Sequence, residues 1–219
     1  MNSLLRHARV ATPWRMTLVI AVLVVLLLEA VRRWPWQAWP LQNVAVGLLA
    51  GGVAWCLDEP AALVVDVGPR PLVWRSAARL GGVALLAAAW GVGLWRAWDR
   101  LFDHPTSVAL QGVGAMVAAA AWTSARRASG VPRPGHQLAL VVVPVTTAWA
   151  LVRPLQTVLP IFPYGYDASY GDWQVSAIGW SVLTIISTLW LLLTLSEVGP
   201  HRRLGPGQEL GARSGQPFG

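Results

Sequence analysis

The chain has 219 residues, 55% of them hydrophobic and only 12% charged, with a mean hydropathy of +0.50 and a net charge of +7. A water-exposed surface needs about 25% charged residues, so a soluble fold is excluded and lipid is the solvent that fits. The 17 basic residues are all arginine, a usage that also fits the codon bias of a GC-rich genome. A phosphate-loop lysine and a Schiff-base lysine are therefore excluded, and the single cysteine, Cys56, excludes an internal disulfide or a cysteine-held metal cluster.

In chain order, residues 1–15 mix Leu4, Leu5, Val10 and Trp14 with Arg6, Arg9 and Arg15. That pattern predicts a short amphipathic helix lying on the inner membrane surface. Spanning a bilayer takes about 20 mostly apolar residues. Six runs qualify within a transmembrane domain of residues 16–195, and they predict an all-α polytopic membrane protein. The spans are expected at 14–31, 41–57, 76–95, 107–123, 138–152 and 173–195. The first run ends in Glu29, Arg32 and Arg33 without a small-residue cleavage site, so it reads as an uncleaved span rather than a signal peptide. Glu29 lies three and four residues before Arg32 and Arg33, on one helix face, as an interfacial ion pair. The fifth span is short and contains Pro144. The segment 153–174 holds three prolines, three tyrosines and Phe162, too apolar for an exposed loop; a re-entrant or interfacial piece capping the outer face is expected. The tail, 196–219, is rich in Gly, Pro and Arg and reads as flexible.

Arginine placement sets the orientation. With the N-terminus inside, only Arg32, Arg33, Arg96, Arg100 and Arg153 fall outside, and the remaining twelve of the 17 lie inside. The positive-inside rule then puts both termini in the cytoplasm of a bacterial inner (plasma) membrane. The positive charge is a topology signal before it is a nucleic-acid signal, and no nucleic-acid partner is expected. The 14 tryptophans fit interfacial anchoring.

Signatures of chemistry are few. There is no GxxxxGK[ST], HExxH, GxSxG or EF-hand loop. His7, His104, His136 and His201 read as solvated loop or tail residues, so neither catalytic residues, a metal site nor a cofactor is expected. Asp99 and Asp103, before His104, read as partners of Arg96 and Arg100 rather than cation ligands. Membrane-embedded charge, the usual mark of a proton pathway, is nearly absent. The polar residues in the spans, Asn43, Gln111, Thr146, Thr147, Ser181, Thr184 and Ser187, fit helix–helix hydrogen bonds. Small residues at four-residue spacing (Gly47 with Gly51, Ala50 with Ala54, Gly114 with Ala118) fit close helix packing rather than a pore lining.

The connection LDEPAALVVDVGPRPLVWRS, residues 57–76, is too polar to span yet half apolar. Asp58 suits an N-cap and Glu59 and Pro60 a first turn. Ala61, Ala62, Leu63, Val64 and Val65 then form about one and a half turns before Gly68 and Pro69 end them. Two readings stand side by side. One is a helix resting on lipid headgroups; the other is a knob docking in a partner's groove. Asp58, Glu59 and Asp66 would be repelled by an anionic leaflet.

The order of parts — leader, two spans, capped cytoplasmic helix, three spans, half-apolar external segment, last span — resembles the membrane subunit of ABC-2-type transporters, including the ABCG-like group. The DEPA…PRPLVWR segment is also similar to the corresponding loop of actinobacterial permeases. The resemblance covers about residues 1–195, in a chain shorter than typical members. It implies that Asp58, Glu59, Pro60, Ala61, Leu63, Val64 and Asp66 form a coupling helix against a separate ATP-binding cassette ATPase. It further implies a second membrane subunit, identical or homologous. An apolar or amphipathic substrate would move along spans two and five, with Asn43, Thr146 and Thr147 as candidate contacts. The rival expectation is a multi-span scaffold that transports nothing. An intramembrane enzyme is disfavoured by the lack of clustered reactive side chains.

Overall fold

The computed structural model describes residues 12–58, 77, 79–152, 160–164 and 168–196. Among them the architecture is helical throughout, with six helices long and apolar enough to cross a membrane. These are α1 (Trp14–Arg33), α3 (Pro40–Leu57), α4 (Leu80–Ala97), α5 (Pro105–Ala128), α6 (Pro134–Val152) and α7 (Tyr170–Ser196). A four-residue helix, α2 (Pro35–Ala38), sits between α1 and α3, and a 3-10 turn, Trp98–Arg100, extends α4. Residues 59–66, expected to form the coupling helix, the leader up to residue 11, residues 153–159 and 165–167, and the tail from 197 lie outside the described residues.

Proline and arginine explain where the helices depart from the expected boundaries. Proline starts α2, α3, α5 and α6, where its missing N–H costs nothing and its φ is already helical. For α5 and α6 these starts lie two and four residues ahead of the apolar runs. At its far end α5 runs on through Arg126 and Arg127. A span must be apolar only within the hydrocarbon, so its helix continues into the headgroup region where arginine is solvated. His136 accordingly lies in the first turn of α6, not in a loop.

Helix α3 is the axis of the bundle. It is 67% buried, against 11% for α6 and 17% for α7, and α1, α4, α5 and α6 all pack on it. The two remaining large contacts join α1 to α4 and α5 to α7. Glycine makes α3 the axis. A Cβ on Gly47 would lie 1.9 Å from Thr146 Oγ1, and one on Gly51 would lie 2.9 Å from Val143, so the α3 and α6 backbones approach directly. At Gly114 the α7 side chains Thr184 and Trp180 close in the same way on α5. Gly47, Gly51 and Gly114 thus pack helices, whereas Ala50 and Ala118, members of the other expected pairings, line an open crevice.

The outward surface confirms the solvent. On α1, Thr17, Ala21, Val24, Leu28 and Val31 form one buried stripe, while Leu18, Val19, Val22 and Leu26 on the other faces are exposed. The same holds for Ile178, Ile185, Leu192 and Leu193 of α7. Such all-round apolarity is stable only against lipid. Trp34, Trp36, Trp95 and Trp98 are exposed together at one end of the bundle, where an interfacial belt belongs. Trp90 and Trp173, by contrast, are buried inside.

Candidate functional site

The two ends of the bundle are built differently. At the end where α3 stops, Asp58 sits in extended geometry (φ −70°, ψ 144°), as an N-cap residue would. Its carboxylate, however, accepts hydrogen bonds from the backbone N–H of Gly135 (3.2 Å) and His136 (2.8 Å). It therefore caps α6, 77 residues downstream, satisfying amides that the first turn leaves open. Gly135 makes this possible, because a Cβ there would lie 2.0 Å from the Ala54 carbonyl oxygen of α3. The His136 ring stands edge-on to Trp55 at 4.9 Å. From the other side of the connection, buried Arg79 donates to the carbonyls of Leu57 (3.0 Å) and Asp58 (2.6 Å), closing the C-terminus of α3. The root of the 59–76 connection is thus tied to α3, α4 and α6 at once.

At the opposite end, a chain of side chains holds residues 160–164 inside the protein. Tyr164 is fully buried. Its hydroxyl accepts from Gln42 Nε2 of α3 and donates to Gln111 Oε1 of α5. Gln111 Nε2 reaches Ser176 Oγ of α7 at 3.4 Å. Ser176 Oγ and Trp180 Nε1 both donate to the Ile161 carbonyl, at 2.9 and 3.0 Å. Burial pushes the Tyr164 phenol well above its ordinary pKa, so it stays protonated and able to donate. Aromatic rings close over this chain. Trp173 meets Tyr164 edge-on at 5.1 Å and stacks on His104 at 4.4 Å. Phe102 lies between Trp36 (5.5 Å) and Tyr164 (6.1 Å). It is placed by a turn in which Phe102 and Asp103 both adopt positive φ, 53° and 60°, unfavourable for side-chain-bearing residues. Of the 153–174 segment, residues 160–164 are thus packed inside the bundle at this end.

Nearby, Glu29 accepts from Arg32 (2.6 Å) and Arg33 (3.1 Å), as its spacing predicts, and also from Arg96 of α4 (3.3 Å). Arg96 therefore serves Glu29, not Asp99 or Asp103. No group of three potential metal ligands occurs among the described residues.

Between the two ends, a crevice of about 350 Å³ opens between α6 and α7, which hardly touch each other. Val46 and Ala50 of α3 and Ala115, Ala118 and Ala119 of α5 form its floor. Of the three substrate-path residues named from the sequence, Thr146 lines this crevice. Its hydroxyl is occupied by the Val142 and Val143 carbonyls of its own helix. Thr147 likewise bonds Val143 and is not in the lining. Asn43 is buried away from the crevice, and its Oδ1 finds no partner. The expected helix–helix hydrogen bonds of the span residues exist for Gln111 alone. Thr146, Thr147, Ser181 and Thr184 all bond carbonyls of their own helices.

Gln42 and Tyr164 escaped sequence reasoning. The available signal was a tyrosine in a proline-rich apolar segment, which needs a hydrogen-bond partner if buried, together with two glutamines, 42 and 111, in otherwise apolar helices. No protein-family model matches this chain, and neither the curated proteins nor the solved structures contain a match to it.

Proposed function

We propose that this multi-span protein is the permease subunit of an ATP-driven transporter, acting with a separate ATP-binding cassette ATPase and a second membrane subunit. The observation that carries the reading is the junction at Asp58. A partner pushing on the 59–66 segment would act on a root fastened to three helices. Asp58 leads into α6, and Arg79 leads into α4 and the end of α3. Displacement of that root would shift α6 against α3 along the glycine contact at Gly47 and Gly51 and change the crevice between α6 and α7. The pinned Tyr164 segment would hold the other end shut until the bundle rearranges, as alternating access requires. The lining suits an apolar or amphipathic substrate, and ATP hydrolysis belongs to the partner.

Purification from the native host in mild detergent, followed by mass spectrometry of the associated proteins, tests this. The wild type is expected to bring down an ATP-binding cassette ATPase, and the Asp58→Arg/Leu63→Glu variant to lose it. A wild-type preparation without any ATPase would remove the transporter reading and leave a membrane scaffold.

A further inference from the structure

The crevice between α6 and α7 is apolar along its length and ends beside a positive charge. We propose that it is a binding site for one anionic phospholipid, an acyl chain lying in the crevice and the phosphate resting on Arg126. This inference does not depend on the permease reading.

Three observations converge. The first is shape. Alanine at 115, 118 and 119 on one face of α5 removes side-chain volume from the floor, and α6 and α7 leave the side toward lipid open. The occupant can therefore enter from the bilayer. Its walls are Leu138 and Val142 of α6 and the rings of Trp180 and Trp190 of α7. The second is length. From Trp180 to Trp190 the wall extends about 15 Å at 1.5 Å per residue. That is half of a hydrocarbon core about 30 Å thick, the depth of one leaflet. The third is the rim. Trp122 lines the crevice, and the Arg126 guanidinium lies over its ring, 5.9 Å from the centroid. Arg126 is exposed and no carboxylate among the described residues pairs with it. Exposed Arg133 follows in the same connection, at the start of α6. An uncharged apolar molecule would use the walls but leave the arginine idle. A lipid phosphate without its own ammonium uses both.

The test is native mass spectrometry of the purified full chain, titrated with dioleoyl-phosphatidylglycerol or dioleoyl-phosphatidylcholine. The wild type should retain one phosphatidylglycerol more tightly than one phosphatidylcholine. Arg126→Ala should weaken phosphatidylglycerol about fivefold, the effect of one surface arginine, and leave phosphatidylcholine unchanged. Ala118→Phe, which fills the crevice, should weaken both lipids; Ala118→Leu serves if the larger ring prevents folding. Glycerol phosphate at equal concentration should not compete. Phosphatidylglycerol binding that is unchanged in Arg126→Ala would overturn the proposal. So would retention in a folded crevice-filling variant, or displacement by glycerol phosphate, which would mark a headgroup site without a chain.

Discussion

Tyr164 makes the most demanding use of a single side chain, because both glutamines that meet it are buried in otherwise apolar helices. Replacing Tyr164 with Phe leaves a donor on Gln42 and an acceptor on Gln111 without partners. The expected cost is about 1–3 kcal/mol, measured as a lowered midpoint of unfolding in detergent. The same residue gives a pH signature. Burial raises its pKa above the ordinary 10.0, so the unfolded chain loses this proton first. Its contribution is complete below pH 10 and declines as pH rises beyond that, and the Tyr164→Phe protein should lack this part of the alkaline loss. Asp58 admits a gentler comparison. Asp58→Ala removes the cap of α6 and should cost about 1 kcal/mol, whereas Asp58→Asn keeps an acceptor and should cost less. Equal loss in the two variants would show that capping is not what the carboxylate supplies. Neither residue's role was legible in the sequence. Asp58 shows the signature of an N-cap for the residues that follow it, and nothing local says that its acceptor oxygens reach residues 135 and 136.

Among the elements, all six spans and their approximate extents follow from apolar run length, since the bilayer imposes that length on any helix that crosses it. What the runs conceal is how the helices sit against one another. In lipid, no hydrophobic drive separates inward from outward faces, so periodicity is muted and the glycines carry the information instead. Their contacts separate sharply. A Cβ on Gly135 meets the Ala54 carbonyl at 2.0 Å, and one on Gly112 meets the Trp90 ring at 2.2 Å, whereas Gly91 and Gly179 face open space. Gly135→Ala should therefore destabilise by about 1–3 kcal/mol through forced separation of α3 and α6. Gly91→Ala and Gly179→Ala should be neutral or stabilising by up to about 1 kcal/mol, through better helix propensity. Unfolding midpoints of the three variants check this, and a loss at Gly179 as large as at Gly135 would refute the packing of α3 on α6. The sequence did mark Gly47, Gly51 and Gly114, because four-residue spacing is visible in one dimension. Gly135 has Ala139 at the same spacing, but it lies ahead of the apolar run that begins at 138, in a turn that run length does not assign to the span.

The molecule as a whole is a bundle with one end stitched shut through Tyr164, the other gathered around Asp58 and Arg79, and a lipid-facing crevice between. Its class was readable because composition alone excludes water as the solvent. The crevice was not, since its lining comes from four helices far apart in the chain; Thr146 alone had been read as a substrate contact, while Ala50, Ala118 and Ser187 had been read as packing or hydrogen-bonding positions. The functional claim is that a soluble ATPase grips the 59–66 segment and moves the helices rooted there. The most direct measurement places a photo-crosslinking residue at Leu63 in the native host and identifies the adduct by mass spectrometry. The account predicts a crosslink to an ATP-binding cassette protein, abolished when Asp58→Arg is added. A membrane-inserted, folded protein whose Leu63 position crosslinks only to lipid, or to proteins that bind no nucleotide, would contradict it.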